Sequence, residues 1–358
     1  MNFSKKLLDN YNLSFQEYKA DYKSDIWTDI YRNFSKKLSD GKFLHNFRSN
    51  KKLSLGLDDY GGFFLTLDSL LKLIDICGKE FIDMNLENKI GSPDEVYSIG
   101  DQQYNYNDLQ NINNLFLIKQ NIKTQPKIIL EIGAGYACLL AKLKKNYCDA
   151  KIICIDLPEA LVLQSYYLYK NFPDKKFFLY EDFKKLNSPK NLDFSTHDFY
   201  LLPPWILEQL FLENKIDLII NIDSMMEMRK KMISEYFNFI HSSISDDGIF
   251  YNVNKYEKDK SGDIVRISEY PYNKCWKVLY SKVAWLKPNI HTLATQKISF
   301  ESNELKELLE KLPKSNPSTS LKEGKSYSAI KQTIRKLLDI FFSFIPKKIL
   351  MKLFKIYL

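Results

Sequence analysis

A handful of acids and two glycines occupy positions in this chain where they could bind a ligand or move a proton. Glu131-Ile-Gly133-Ala-Gly135-Tyr-Ala137 joins a short isoleucine-rich run, Lys127–Glu131, to a helical pattern that starts at Cys138. Glycines at a strand-to-helix bend let the backbone approach a ligand closely, and a helix start offers unpaired N–H groups. Glu131 ends the strand, where a carboxylate can receive an amino group. Asp156 ends the next such run, Lys151–Asp156, where an acid in this layout reaches ribose hydroxyls. It also precedes Pro158, so capping the following helix is its plainer role. A third group, Asn221, Asp223, Ser224 and Glu227, stands at the end of the run Asp217–Ile222 and just beyond it. Asp223 is the expected general base for a hydroxyl and Glu227 the next choice. Ser224 and Glu227 also have capping-box spacing, which would make Glu227 a helix starter.

The elements that must carry these residues alternate. After Lys127–Glu131 come a helix at Cys138–Lys145, the strand Lys151–Asp156, a helix at Pro158–Tyr169, and strands at Phe177–Tyr180 and Phe199–Leu202. Then follow the strand Asp217–Ile222, a helix from Met228 to Ser243, a turn at Asp246-Asp-Gly248, the strand Ile249–Val253 and a late strand over His291–Phe300. Such a succession predicts an α/β fold, a doubly wound, mostly parallel sheet with helices on both faces. Three zones are expected: a helical region over 1–125, the binding domain over 126–303, and a linker with a basic amphipathic tail over 304–358. Within the first zone, Phe64, Leu67, Leu70, Leu71 and Ile74 have helical spacing, and the Gly/Pro/Tyr segment 91–106 reads as a loop. Asn107 and Gln110 are expected to start a helix over Leu109–Ile122.

The acid at Glu131 suits a ligand with an amino group, and a dinucleotide has no use for it. Cys138 stands where a dinucleotide fingerprint prefers Gly or Ala. With Asp156, these features favour S-adenosylmethionine over NAD. At this point the chain resembles the class I S-adenosylmethionine-dependent methyltransferases, with a Rossmann-like fold, and more narrowly the bacterial sugar O-methyltransferase family. The resemblance rests on the turn Glu131–Ala137, on Asp156-Leu-Pro-Glu-Ala-Leu-Val-Leu-Gln164-Ser-Tyr-Tyr-Leu168, and on Asn221-Ile-Asp-Ser-Met-Met-Glu-Met228. Tyr270-Pro271 with Trp276 adds to it, and Asn46-Phe-Arg48 is a fainter echo. It spans roughly residues 90 to 300 and departs at Ala137, where the class usually has a third glycine; an Ala there requires helical backbone.

The resemblance implies that Glu131, Gly133 and Gly135 line the methionine part of the cofactor and that Asp156 holds its ribose. It implies an acid after the third strand for the adenine amino group, with Asp182 and Asp198 as the competing residues. The acceptor it implies is a sugar, nucleotide-sugar or lipid-linked glycan in surface polysaccharide biosynthesis. Gln164, Asn221 and Ser224 are the expected acceptor contacts, although Gln164 and its neighbours Tyr166 and Tyr167 also have the spacing of core residues. No metal is required. The alternatives are an NAD-dependent nucleotide-sugar oxidoreductase and a non-catalytic, membrane-associated scaffold that keeps the fold.

Composition narrows the field further. Five cysteines, an odd number without ligand spacing, and four histidines argue against a zinc site or a disulfide framework and suit a reducing cytoplasm. Asp9 interrupts any signal-like apolar run, so no secretion signal is expected. The net charge is +8, and from Lys331 onward seven Lys/Arg face a single acid, Asp339. The amphipathic segment 330–358 therefore predicts either peripheral contact with an anionic membrane or docking on the protein or a second subunit. With the surplus in the tail and no basic groove in the body, nucleic acid is not expected as a partner.

Overall fold

The structure is a computed structural model that describes residues 3–17, 37–38, 43–49, 62–210, 212, 215–260, 263–285 and 287–317. The basic segment 330–358, and residues 318–329 of the expected linker before it, lie outside the described residues. No helix among those described is long and apolar enough to cross a membrane.

The chain divides into two units, one holding helix α1 (Phe3–Gln16) and residues 118–316, the other residues 45–117. The expected boundary at 125 is thus corrected: the amino-terminal helix belongs with the sheet. In the smaller unit, α2 (Phe63–Cys77) and α3 (Lys79–Met84) are followed by the strands β1 (Tyr97–Ile99) and β2 (Gln102–Tyr104). These pair antiparallel, so the segment expected to be a loop is a hairpin. Tyr104 is buried there and donates to Asp83 Oδ1 at 2.9 Å. Arg48, from the Asn46-Phe-Arg48 echo, is buried against Glu87, whose two oxygens accept at 2.7 and 2.9 Å. Helix α4 (Tyr106–Asn121) starts earlier than expected, because Asn105 Oδ1 accepts the Asp108 N–H at 2.7 Å and caps it.

The larger unit alternates as the sequence predicts: β3 (Ile128–Ile132), α5 (Cys138–Asn146), β4 (Lys151–Ile155), α6 (Pro158–Asn171), β5 (Phe177–Leu179) and α7 (Tyr180–Lys184). Next come β6 (Phe199–Leu202), β7 (Ile216–Ile222), α8 (Lys230–Ser243) and β8 (Ile244–Lys255). Among the described residues these six strands, with β11 (Trp276–Val283) and β12 (Ile290–Lys297), form one eight-stranded sheet in the order β11-β12-β8-β7-β3-β4-β6-β5. The six strands from β5 to β8 run parallel. Parallel neighbours need a crossover, which α5, α6 and α8 supply. Their strands are mostly apolar, as burial on both faces requires: Ile129, Leu130, Ile132, Ile153, Ile155, Ile219 and Ile220 are all fully buried.

Several elements differ from the sequence reading. The strand β8 begins at Ile244, running through the expected turn at Asp246-Asp-Gly248. A hairpin of β9 (Glu257–Lys260) and β10 (Asp263–Arg266) follows it. The strand β11 (Trp276–Val283), which carries no clear alternation, then pairs antiparallel with β12 (Ile290–Lys297). Helix α9 (Glu304–Lys311) packs Leu305 and Leu309 into the core, so the sheet unit continues past the expected limit of 303.

Candidate active site

The sheet's order reverses at β3, with β4 on one side and β7 on the other, and the crevice beyond the strands' carboxyl ends at such a point is where open α/β sheets bind ligands. The Glu131–Ala137 turn leaves β3 at that place. Gly133 has φ +73°, and a Cβ there would meet Ser224 Oγ at 1.9 Å, so this position has no room for a side chain. Gly135 has φ +58° with open space where a Cβ would project. Ala137 also adopts the left-handed conformation, at φ 69° and ψ 29°. The expectation of helical backbone there is corrected; an L-residue in this region costs roughly 1–2 kcal/mol. The turn is pinned by Gly133 N–H donating to Ile155 O at 3.0 Å.

Glu131 is buried at 3 % exposure, and its Oε2 has no hydrogen-bond partner. Burial, followed by repulsion from Asp156, pushes its carboxyl up to about 8. Asp156 continues β4, its N–H donating to Leu202 O. Burial pushes Asp156 up to about 7, against hydrogen bonds from Leu157 N–H, Gln164 and Ala134 N–H that favour its charged form. The structure thus holds two carboxyls together where ionising both is costly and no cation of the described protein offsets it.

Gln164 is fully buried, with Nε2 donating to Asp156 Oδ2 at 2.6 Å and to Gly135 O at 3.1 Å, and Oε1 accepting from Cys154 Sγ. Its expected role as an acceptor contact is therefore corrected. It is a brace that ties Asp156 to the glycine turn. Asn221 is corrected in the same way. It is fully buried, with Nδ2 donating to Ile132 O at 2.8 Å and Oδ1 accepting from Met225 N–H and Asn254 Nδ2. Every polar atom of that amide is used to join β3, β7 and β8 at their ends. Asn254 also donates to Asn252 Oδ1 at 2.5 Å, and Asn252 donates to Tyr272 Oη at 3.1 Å. Sequence reasoning missed this amide ladder; its signal was the alternation Asn252-Val-Asn254, polar every second residue in an otherwise apolar strand. Tyr166 and Tyr167 are buried core residues.

Asp198 is corrected outright. It precedes β6, so a parallel register puts it at the amino edge of the sheet, the end opposite Asp156. There it pairs with Lys144 Nζ at 3.1 Å and accepts the Lys176 N–H. Asp182 does stand beyond the carboxyl end of β5, but it caps α7 by accepting the Leu179 N–H at 3.0 Å and pairs with Lys6 of α1 at 3.4 Å.

On the other side of the crevice, Asp223 follows β7 with φ +53°, its N–H bonded to Val253 O at 2.8 Å. Asp tolerates that left-handed backbone better than most residues. Its Oδ2 pairs with Lys287 at 2.8 Å, while its buried Oδ1 has no partner. Ser224 faces Gly133, and its side chain caps nothing. Residues Met225–Glu227 form one tight turn, and Glu227 pairs with Lys258 at 2.9 Å, so no capping box forms. His241, in α8, is a structural residue that accepts from Asn273 N–H and lies against Phe237 and Trp276.

No known family profile matches this chain, and no curated protein matches it. Solved structures that match include a protein of Nostoc punctiforme, provisionally described as an O-methyltransferase. It is 10% identical over 53% of this chain and 60% of its own, with a TM-score of 0.37. A TehB-like SAM-dependent methyltransferase of Corynebacterium glutamicum is 15% identical over 51% of this chain and 85% of its own, at 0.35. The mitomycin 7-O-methyltransferase MmcR is 8% identical over 53% of this chain and 57% of its own, at 0.34. The match thus spans less than two thirds of the Nostoc and MmcR chains.

Proposed function

We propose that this chain is an S-adenosylmethionine-dependent O-methyltransferase that acts on a sugar hydroxyl. The observation that carries the cofactor assignment is Glu131: a buried carboxylate with an unpartnered oxygen, beside a second carboxylate, at a glycine turn. Such a pair selects a ligand that brings positive charge and hydroxyl donors, and disfavours the pyrophosphate of a dinucleotide. Glu131 would receive the ammonium of the methionine part and Asp156 the ribose hydroxyls, with the open space at Gly135 left for the chain between them. When bound, S-adenosylmethionine supplies a methyl group on a sulfonium, open to in-line attack. Asp223 would take the proton of the attacking hydroxyl, while Lys287 fixes its carboxylate through Oδ2. The fixed edges of β3, β4 and β7 hold donor and acceptor in one orientation, where much of the acceleration of such a displacement originates. Support for a sugar as acceptor comes from the resemblance of Asp156–Leu168 and Asn221–Met228 to the sugar O-methyltransferases.

The test is a thermal-shift titration with S-adenosylmethionine and, separately, NAD. A ligand at one hundred times its Kd stabilises by about 2.7 kcal/mol, which is readily measured. S-adenosylmethionine should raise the melting temperature of the wild type, and that of Glu131→Gln clearly less at the same concentration. A rise with NAD alone would overturn the assignment.

A further inference from the structure

The acceptor side of the crevice carries an arrangement of cations that methyl transfer to a neutral hydroxyl does not require. Three lysines converge there from three elements. Lys255 ends β8, Lys258 lies in β9, and Lys287 lies between β11 and β12. Lys287 reaches Asp223 at 2.8 Å and Lys258 reaches Glu227 at 2.9 Å. Lys255 has no such pair among the described residues. Its backbone N–H is held by Met226 Sδ at 3.4 Å, and its ammonium lies beside that of Lys258. Burial, then the neighbouring Lys258, pulls Lys255 below the ordinary lysine value, and Glu227 and Asp223 oppose this only in part. In these contacts three ammonium groups thus meet two carboxylates, and Lys255 and Lys258 are near enough to repel.

The hairpin enforces this placement. Along β9 the side chains alternate, so Glu257 turns to Arg266, at 2.7 Å, while Lys258 turns the other way to Glu227. Arg266 is itself anchored, donating to Lys314 O at 2.8 Å, and Asn316 donates to Glu257 O at 2.7 Å. Lys258 is therefore held towards Lys255, although two like charges repel. A built cluster with a surplus cation fits a ligand that brings an anion.

We infer that Lys255, Lys258 and Lys287 form a binding site for a phosphate group on the acceptor, so that the substrate is a phosphorylated or diphosphate-linked sugar. This rests on the function proposed above. A phosphate oxygen would take the Lys255 and Lys258 ammonium groups and draw on Lys287, loosening its hold on Asp223 as the hydroxyl arrives. Lysines act on phosphate as point charges, which suits a group whose orientation is set elsewhere.

Isothermal titration of pyrophosphate into the full-length protein at low salt tests the site, with Lys255→Met, with Lys176→Met at the exposed amino edge as a control, and with glucuronate as a carboxylate probe. Pyrophosphate should bind the wild type and Lys176→Met alike. It should bind Lys255→Met at least tenfold more weakly, with a shallower salt dependence, while glucuronate binds at least tenfold more weakly than pyrophosphate. Equal binding by Lys255→Met, an equal loss in Lys176→Met, or glucuronate binding as tight as pyrophosphate would overturn the inference. Thermal shift with S-adenosylmethionine on the same preparations separates the two proposals. A chain that binds S-adenosylmethionine but not pyrophosphate overturns the anion site alone. One that binds pyrophosphate but not S-adenosylmethionine overturns the methyltransferase reading, and with it the assignment of the anion to an acceptor.

Discussion

The two edges of the parallel sheet treat their acids in opposite ways. At the amino edge, Asp217 Oδ2 accepts the Lys127 and Ile128 N–H groups at 2.7 and 2.9 Å and so pins the start of β3. Asp198, at the same edge but beyond β3 and β4, is held below the ordinary carboxylate range. Burial alone would raise it, but the Lys176 N–H and Lys144 outweigh that effect. At the carboxyl edge Asp156 and Glu131 move the other way, up to about 7 and about 8. Glu131 and Asp156 are buried more deeply than Asp198, and among the described residues they also lack the cation that Asp198 has in Lys144, so deeper burial and a missing partner act together at the carboxyl edge. Where the protein supplies the partner, the acid stabilises the fold. Where it withholds one, the site is poised for a ligand that brings the missing charge.

The sharpest way to break this contrast is at the amino edge. Asp198→Ala leaves Lys144, almost wholly buried, with Ala150 O and the Phe199 ring as its remaining contacts among the described residues, and should cost about 3 kcal/mol in chemical denaturation. Its affinity for S-adenosylmethionine should stay unchanged. A weakened affinity in the folded variant would return Asp198 to the cofactor site.

Glu131→Gln should do the reverse, weakening S-adenosylmethionine binding by roughly 10- to 100-fold, as loss of a charge-assisted hydrogen bond implies, without lowering the melting temperature. Both carboxyls titrate higher in the folded chain than in the unfolded one, so between the ordinary carboxylate range and about 8 the folded chain binds more protons. Stability contributed by this pair is therefore fully present at low pH and is lost as pH rises through that window. Glu131→Gln should flatten the decline, and a parallel decline in the variant would place its cause elsewhere.

A smaller effect is expected from Gln164→Leu, which removes the brace between Asp156 and Gly135. Leaving those buried acceptors short of a donor costs about 1–3 kcal/mol of stability, and cofactor affinity should fall less than in Glu131→Gln. The smallest belongs to Ala137→Gly. Relief of the left-handed Ala137, about 1 kcal/mol, is offset by loss of a fully buried methyl, about 0.8 kcal/mol, so melting temperature should hardly move.

Much of this arrangement could be read from the sequence because it is local. The isoleucine runs marked β3, β4 and β7, the glycine pair marked the turn, and the acids ending those strands marked the edge that binds. What could not be read depends on partners distant in sequence. Nothing near Gln164 says that it bonds Asp156 and the glycine turn rather than a sugar, and nothing near Asn221 announces Asn254. Asp198 was misplaced because an acid before a strand and an acid after one look alike until the strand's direction and neighbours are known. Lys255, Lys258 and Lys287 converge only through a hairpin and an antiparallel edge pair, and neither has a strong periodic pattern. Asp156 shows the same limit. With Gln164 and two backbone N–H groups resting on it, it is both brace and ligand contact, so Asp156→Asn tests the ribose role better than Asp156→Ala.

The central claim is that the carboxyl edge withholds a cation which the ligand then provides. Calorimetry of S-adenosylhomocysteine binding near pH 7, in two buffers of different ionisation enthalpy, measures the protons released when Glu131 and Asp156 are forced into their charged forms. The account predicts binding with a release of up to one or two protons that falls in Glu131→Gln, the balance set by how far the pair is already ionised. Binding with no proton release, or the same release from Glu131→Gln, would contradict it.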